Sequence, residues 1–146
     1  MEVPIQIKAQ NIKKMYDSLY DDLKLKYGLT MNEIIFLLYL DKNHMKNTAR
    51  EIVEDLMLTK SHISKSVDSL AREKIIIRVQ DKYDRKVIRL YISDTANELI
   101  KELRNREMII NQTITDGITP KDIETFNRVL DQMKKNVSLE IEKNRN

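Results

Sequence analysis

Two glycines and two prolines in 146 residues leave this chain almost without punctuation. Average usage would supply about 12% of these two types together, and both mark turns and loops. The backbone is therefore committed to a few long segments, which become long helices wherever the apolar residues recur at helical spacing. With 41% hydrophobic and 34% charged residues, the chain can build one core under a well-solvated surface. Its length suits a single compact domain, or a protomer that completes itself by pairing.

Pro4 opens a first helix in which Ile12, Met15, Tyr16, Leu19, Tyr20 and Leu23 recur every three or four residues until Gly28 ends it. Thr30 with Glu33 has the form of a capping box, flanked by Leu29 and Ile34 as a hydrophobic staple. The second helix, Met31 to Asp41, is apolar nearly all round and should lie at the centre of the core. A third, short helix starts from Thr48, with Glu51 reaching back and Ile52, Val53, Leu56 and Met57 for packing. Thr59 caps a fourth, Lys60 to Lys74, with an inner face of Ile63, Val67, Leu70 and Ala71. Two helices joined by so brief a break, the second bearing hydroxyls and cations on its outer half, match the helix-turn-helix arrangement.

From Ile75 the period shortens towards two. Ile75 to Val79 and Val87 to Ile92 are rich in branched apolar residues and predict a hairpin, and the loop Gln80 to Lys86 between them is too polar to bury. Ser93 or Asp94 starts a fifth helix that runs to Gly117, about 23 residues or roughly 34 Å. Thr119, Pro120 and Asp122 open a sixth, whose Ile123, Phe126, Leu130, Met133, Val137 and Ile141 keep to one stripe. There is no internal repeat, low-complexity tract or linker.

The net charge of +3 is too small to name a partner, but its distribution is informative. Between Thr59 and Ile92, nine basic residues face four acidic ones, a net +5 against −2 for the rest of the chain. Such a footprint steers towards a polyanion. Short hydroxyls and flexible cations fit the major groove of DNA, so Ser61, His62, Ser64 and Lys65 are expected at base edges, with Thr59 and Lys60 nearer the phosphates. Arg85 at the hairpin tip suits a narrow minor groove, Lys82 and Lys86 suit phosphates, and Asp84 beside Arg85 is expected to hold its guanidinium.

The apolar stripes of the first, fifth and sixth helices exceed what one small head covers, and a second copy would bury them. A twofold dimer presents two recognition helices about 34 Å apart, so its target should be an inverted repeat in double-stranded DNA. The expected division is residues 29–93 as a winged helix-turn-helix head, 94–116 as a connecting helix, and 1–28 with 117–146 as dimerisation helices. The fold class is mainly α with a small β-hairpin.

Other functions find little support. With no cysteine there is no disulfide framework or thiol chemistry. His44 and His62 stand without a nucleophile, a metal-ligand cluster or a phosphate-cradling glycine loop, so neither an enzyme nor a cofactor is expected. A metal sensor built on His44 has no ligand spacing behind it. No apolar run is long enough to cross a bilayer and no secretory leader is present, which leads us to expect a cytoplasmic protein without membrane partners. The competing reading is an adaptor whose basic segment binds an acidic protein.

Leu29-Thr30 opening a core helix, then Thr59-Lys60-Ser61-His62-Ile63-Ser64-Lys65 with Val67-Asp68-Ser69-Leu70, then Ile76-Ile77-Arg78 and Asp81-Lys82-Tyr83-Asp84-Arg85-Lys86, resemble the MarR family of bacterial winged-helix regulators. The Asp-x-x-Asp-Arg wing is the most specific part. The resemblance implies a homodimeric repressor or activator whose DNA affinity is set by a small lipophilic or phenolic effector between head and dimer base. Two departures stand out: Lys74 where the family often has glycine, and Ile92-Ser93-Asp94-Thr95-Ala96 in place of a Leu-Thr-x-x-Gly run. Tyr16, Tyr20 and Phe36, with Met15, are candidates to line the effector pocket.

Overall fold

The computed structural model describes residues 3–145, so the first two residues and the last of the expected dimerisation segments lie outside it. Its elements are α1 (Ile5–Ser18), α2 (Asp21–Tyr27), α3 (Met31–Lys42), α4 (Ala49–Leu56), α5 (Lys60–Arg72), β1 (Ile76–Gln80), β2 (Ile88–Ile92), a 3-10 turn (Asp94–Ala96), α6 (Asn97–Thr115) and α7 (Pro120–Arg145). The chain divides into two compact units, 1–107 and 108–146. No helix among the described residues is long and apolar enough to cross a membrane.

The local caps form as their residues dictate. Thr30 accepts the Glu33 amide while the Glu33 carboxylate takes the Thr30 amide, and Thr48 and Glu51 repeat the exchange at α4. Thr59 accepts the His62 amide at 3.2 Å, and Thr119 accepts that of Asp122 at 3.2 Å. The box at Thr30 fixes the start of α3, whose Ile34, Phe36, Leu37 and Leu40 are buried. Around it α5 and β2 pack, and α4 packs on α5, so Ile52, Ile63, Leu70 and Ile76 join the same core.

The expected first helix is two. Leu19 and Tyr20 donate to carbonyls only three residues back, at 3.1 Å each, and the Ser18 hydroxyl takes the Met15 carbonyl at 2.6 Å. Both changes tighten and end a helix. The Leu19 carbonyl freed by the break accepts from the Arg106 guanidinium at 2.5 Å, which also holds the Asp22 carboxylate through two bonds of 2.6 Å. Gly28, at φ +64°, closes α2 as expected.

That arginine belongs to a series of cross-ties between α6 and the helices beneath it: Lys26 with Glu102, Asp41 with Arg104, Asp22 with Arg106 and Lys42 with Glu107. Exposed pairs of this kind each contribute little. The burial of Leu99, Ile100 and Leu103 stabilises the packing of α6 more strongly, and the ion pairs select the register at which these side chains enter the core.

Two further helix ends differ from expectation. Met57 does not pack; it adopts the left-handed conformation at φ 52° to turn α4 into Thr59, and is 75% exposed. Helix α5 stops at Arg72 because Ile75 donates to the Leu70 carbonyl (2.9 Å) and Lys74 to that of Ala71 (3.0 Å), a Schellman closure. This closure places Lys74 at φ 58°, a conformation glycine adopts without cost. The following hairpin pairs Ile76 with Ile92 through to Gln80 with Ile88. The fifth helix begins as a 3-10 turn capped by Ser93, giving a 19-residue α6 in place of the longer helix expected.

In the second unit, α7 has no buried residue along its 26. Phe126, Val129, Leu130, Met133, Val137 and Ile141 are all exposed there, and so are Ile5, Ile12 and Met15 on α1 of the first unit.

Lys74→Gly should stabilise the protein by about 0.5–1 kcal/mol, the left-handed penalty of about 1–2 kcal/mol less glycine's extra unfolded-state entropy. Urea denaturation measures it; a loss of stability would contradict the closure described.

Candidate nucleic-acid interface

The polar residues of α5 lie where the helical period puts them. Ile63, Val67 and Leu70 are buried, while Thr59, Lys60, Ser61, His62, Ser64 and Lys65 are exposed together on the N-terminal half. Ser66, which sequence reading did not single out, is buried with the core side chains. Hollows flank the helix on both sides. One, of about 530 Å³, runs past Ala49, Val53, Ser61, Ser64 and Arg78, and the other, of about 440 Å³, past Asn32, His62, Lys65, Ser69 and Arg72. The outer face of α5 is thus a ridge with free space along each flank, the shape a groove-reading helix requires.

The hairpin tip carries Lys82, Asp84, Arg85 and Lys86, all exposed. Its backbone is fixed by three side chains. The Asp81 carboxylate accepts the amides of Tyr83 and Asp84 at 2.9 and 3.0 Å, Asp84 accepts that of Lys86 at 3.0 Å, and the Gln80 amide donates to the Arg85 carbonyl at 2.7 Å. Asp84 therefore does not hold the Arg85 guanidinium. Its short side chain is used in the turn, which is the ordinary role of an aspartate there.

The acid that does hold a guanidinium is Asp81. Arg89 donates to it at 2.7 Å and to the Asn47 side-chain carbonyl at 3.0 Å. Asn47 is buried, donates through its side chain to the Leu90 carbonyl at 3.1 Å, and accepts the Leu90 amide on its own carbonyl at 2.8 Å. Thr48 forms a single antiparallel β-bridge with Arg89. The wing is thereby tied to the residue that precedes the α4 cap. Sequence reading missed Asn47 and Arg89; the available signal was an asparagine immediately before a capping threonine.

This arrangement leaves a clear electrostatic pattern. Of the nine cations between Thr59 and Ile92, Arg78 pairs with Asp68 and Arg89 with Asp81. The remaining seven, Lys60, Lys65, Arg72, Lys74, Lys82, Arg85 and Lys86, enter none of the ion pairs among the described residues. The paired cations brace the scaffold, and the unpaired ones occupy the helix ridge, its end and the loop tip.

Two of the aromatic residues expected around an effector lie inside the core. Tyr20 and Phe36 are fully buried core side chains and Met15 is 70% exposed on α1. The Tyr16 and Tyr20 rings pack at 5.8 Å, and burial together with the Tyr16 hydroxyl pushes the Tyr20 phenol well above its usual range. A cavity of about 220 Å³ lies elsewhere in the head, behind the hairpin, lined by Leu40, Asp41, His44, Asn47, Tyr91 and Arg104 among others. No group of three or more histidine or acidic side chains among the described residues is placed to hold a metal.

The Arg89 hydrogen bond, followed by the Asp84 and Tyr83 amides, lowers the Asp81 pKa from 3.8 to about 2. A depressed carboxylate pKa means that its contribution is complete above the ordinary value and is lost as pH falls through about 2. In an NMR titration the Asp81 side-chain carboxyl signal should hold its position from pH 8 to about pH 4. Asp81→Ala should accelerate hydrogen exchange at the Tyr83 and Asp84 amides while leaving the α3 amides protected. An Asp81 carboxyl that titrates near pH 4, or a tip that is indifferent to the substitution, would contradict the bracing role.

A family model described as transcriptional regulator SarA/Rot matches residues 18–103, which span α2 to the first part of α6. Among curated relatives, an uncharacterised HTH-type transcriptional regulator, YpoP of Bacillus subtilis (strain 168), is 24% identical over 98 residues, 66% of this chain and 69% of its own. The fold is shared with the S. aureus MepR–DNA complex (TM-score 0.81, 18% identity, 93% of this chain and 99% of that one). It is also shared with a SlyA-like transcription regulator from Listeria monocytogenes (TM-score 0.78, 19% identity, 94% and 90%). The MarR-type winged helix expected from the hairpin motif is the architecture common to these neighbours. With the family model covering more than half its length, the chain belongs to the SarA/Rot family of transcriptional regulators.

Proposed function

We propose that this regulator binds double-stranded DNA as a homodimer on an inverted-repeat operator and represses transcription by occupying it. The observation that carries the reading is the segregation of charge within residues 59–92: Arg78 and Arg89 are paired and brace the scaffold, while the cations of α5, its C-terminal end and the wing tip enter none of the ion pairs among the described residues. Phosphates compensate such charges by displacing counterions. In the proposed grip, Ser61, His62, Ser64 and Lys65 meet base edges, Thr59 and Lys60 meet phosphates, Arg85 enters the minor groove, and Lys82 and Lys86 meet its walls. Asp84 serves by shaping the turn. That MepR was solved with DNA on this fold is consistent with the same use here.

Residues 29–93 are proposed as the reading head, 94–116 as the connection, and 1–28 with 117–146 as the dimer base. Support comes from the uncovered apolar side chains of α1 and α7, each of which a second copy would bury. A small lipophilic or phenolic effector is proposed to act by favouring one of two arrangements of the recognition helices. The cavity behind the hairpin is a suitable entry, because Asn47 both lines it and holds Arg89. Nothing in this scheme calls for a reaction, so the protein is proposed to be a regulator without enzymatic activity.

Selection of bound duplexes from a random pool with purified protein should return a dyad-symmetric sequence whose half-sites lie about one helical turn apart. Recovery of unrelated sequences would favour the adaptor reading, with an acidic protein as partner. On the selected duplex, Ser64→Ala or Lys65→Ala should cost about 1–3 kcal/mol and relax preference at particular positions, whereas Lys86→Ala should weaken all sequences alike. Leu130→Lys, placing a charge in the proposed contact, should shift the protein towards monomer in sedimentation; an unchanged dimer would remove Leu130 from that contact.

A further inference from the structure

We infer that Tyr83, at the tip of the hairpin, is a DNA-contacting residue that packs its ring on the deoxyribose wall of the minor groove and donates its hydroxyl to a phosphate. The inference rests on the proposed DNA grip and adds a residue to it. Tyr83 is 97% exposed, whereas the next most exposed tyrosine among the described residues, Tyr91, is 43% exposed. An aromatic side chain that its own fold leaves wholly uncovered forgoes the burial that ordinarily stabilises it, and single exposed apolar residues are common enough that exposure alone decides nothing.

The second observation is the rigidity of its mounting. The Asp81 carboxylate holds the amide of Tyr83 itself and that of Asp84, and Asp81 is locked by Arg89 and through it to buried Asn47. A loop serving only to connect two strands needs no such anchorage, whereas a contact residue gains from it because little ordering entropy remains to be lost on binding. The third observation is the company it keeps. Lys82 precedes it, Arg85 and Lys86 follow, and none of the three is engaged in an ion pair among the described residues. A polyanion drawn in by these cations meets the phenol at the same place.

The chemistry favours the sugar–phosphate wall over the base edges. A tyrosine hydroxyl is an ordinary phosphate donor in DNA interfaces, and the ring offers a neutral apolar face suited to deoxyribose carbons. The minor groove presents few features by which a single phenol distinguishes sequences. Tyr83 is thus assigned to affinity and to the depth at which the wing sits, and it carries no charge whose loss would release counterions.

The test uses fluorescence anisotropy of the full-length protein on the duplex returned by the selection and on a scrambled duplex of the same composition. Tyr83→Ala should weaken binding about three- to tenfold on both, with the slope of log affinity against log salt unchanged. Tyr83→Phe, which keeps the ring, should lose less than Tyr83→Ala. As a readout free of mutation, saturating duplex should protect Tyr83 from nitration by tetranitromethane, read by peptide mapping. If the wild-type protein binds duplex while Tyr83→Ala binds equally well and nitration is unaffected, the inference fails and the wider DNA reading stands. A loss confined to the selected duplex would make Tyr83 a base reader and overturn the assignment to the wall. Failure of the wild-type protein to bind any duplex would remove both.

Discussion

The head depends on one buried side chain pairing with one guanidinium. Asn47 satisfies the Leu90 carbonyl with its amide and holds Arg89 with its oxygen, and Arg89 in turn holds Asp81, whose carboxylate shapes the hairpin tip. A two-stranded hairpin alone is marginal in water. This one is attached through Arg89 and Leu90 of β2 to the segment that caps α4 and packs through β1 on α5. The helix ridge and the wing are therefore parts of a single braced body, so that two separate sets of contacts can be made at fixed separation without being ordered anew at binding.

The same economy explains the distribution of charge. Each cation needed to hold the scaffold has an acidic partner, as Arg78 has Asp68 and Arg106 has Asp22. Those on the outer face of α5 and on the loop enter none of the ion pairs among the described residues. A net charge of +3 conceals this, because paired and unpaired cations count alike in composition. Geometry separates them, and it turns a weak compositional hint into a specific surface.

Much of the fold is legible in the sequence because its instructions are short-ranged. Thr30 and Glu33, Thr48 and Glu51, Thr59, and Thr119 with Asp122 each act across three residues, so their caps are readable without tertiary knowledge. The switch from helical to strand period at Ile75 marks the hairpin for the same reason. What the sequence concealed is decided at long range. The break between α1 and α2 is stabilised by Arg106, 87 residues from the Leu19 carbonyl it satisfies, and Asn47 finds its partners 42 and 43 residues away. Tyr16, Tyr20 and Phe36 have a spacing that suits a pocket or a core equally, and only the burial of Tyr20 and Phe36 decides for the core. At the candidate interface, periodicity placed the exposed residues of α5 on its outer face, whereas adjacency in the chain pointed Asp84 to the Arg85 guanidinium; Asp84 instead shapes the turn, and the pair that forms is Asp81 with Arg89, eight residues apart.

The central claim is that the unpaired cations of the ridge and wing are neutralised by phosphates, twice over in a dimer. It is tested most directly by the salt dependence of duplex binding. Affinity for the selected duplex should fall by roughly a thousandfold or more between about 50 and 200 mM monovalent salt, as expected when six or more phosphates are contacted. An affinity that is nearly flat over this range would mean that the cations meet no phosphates, and the account of this surface as a DNA grip would be wrong.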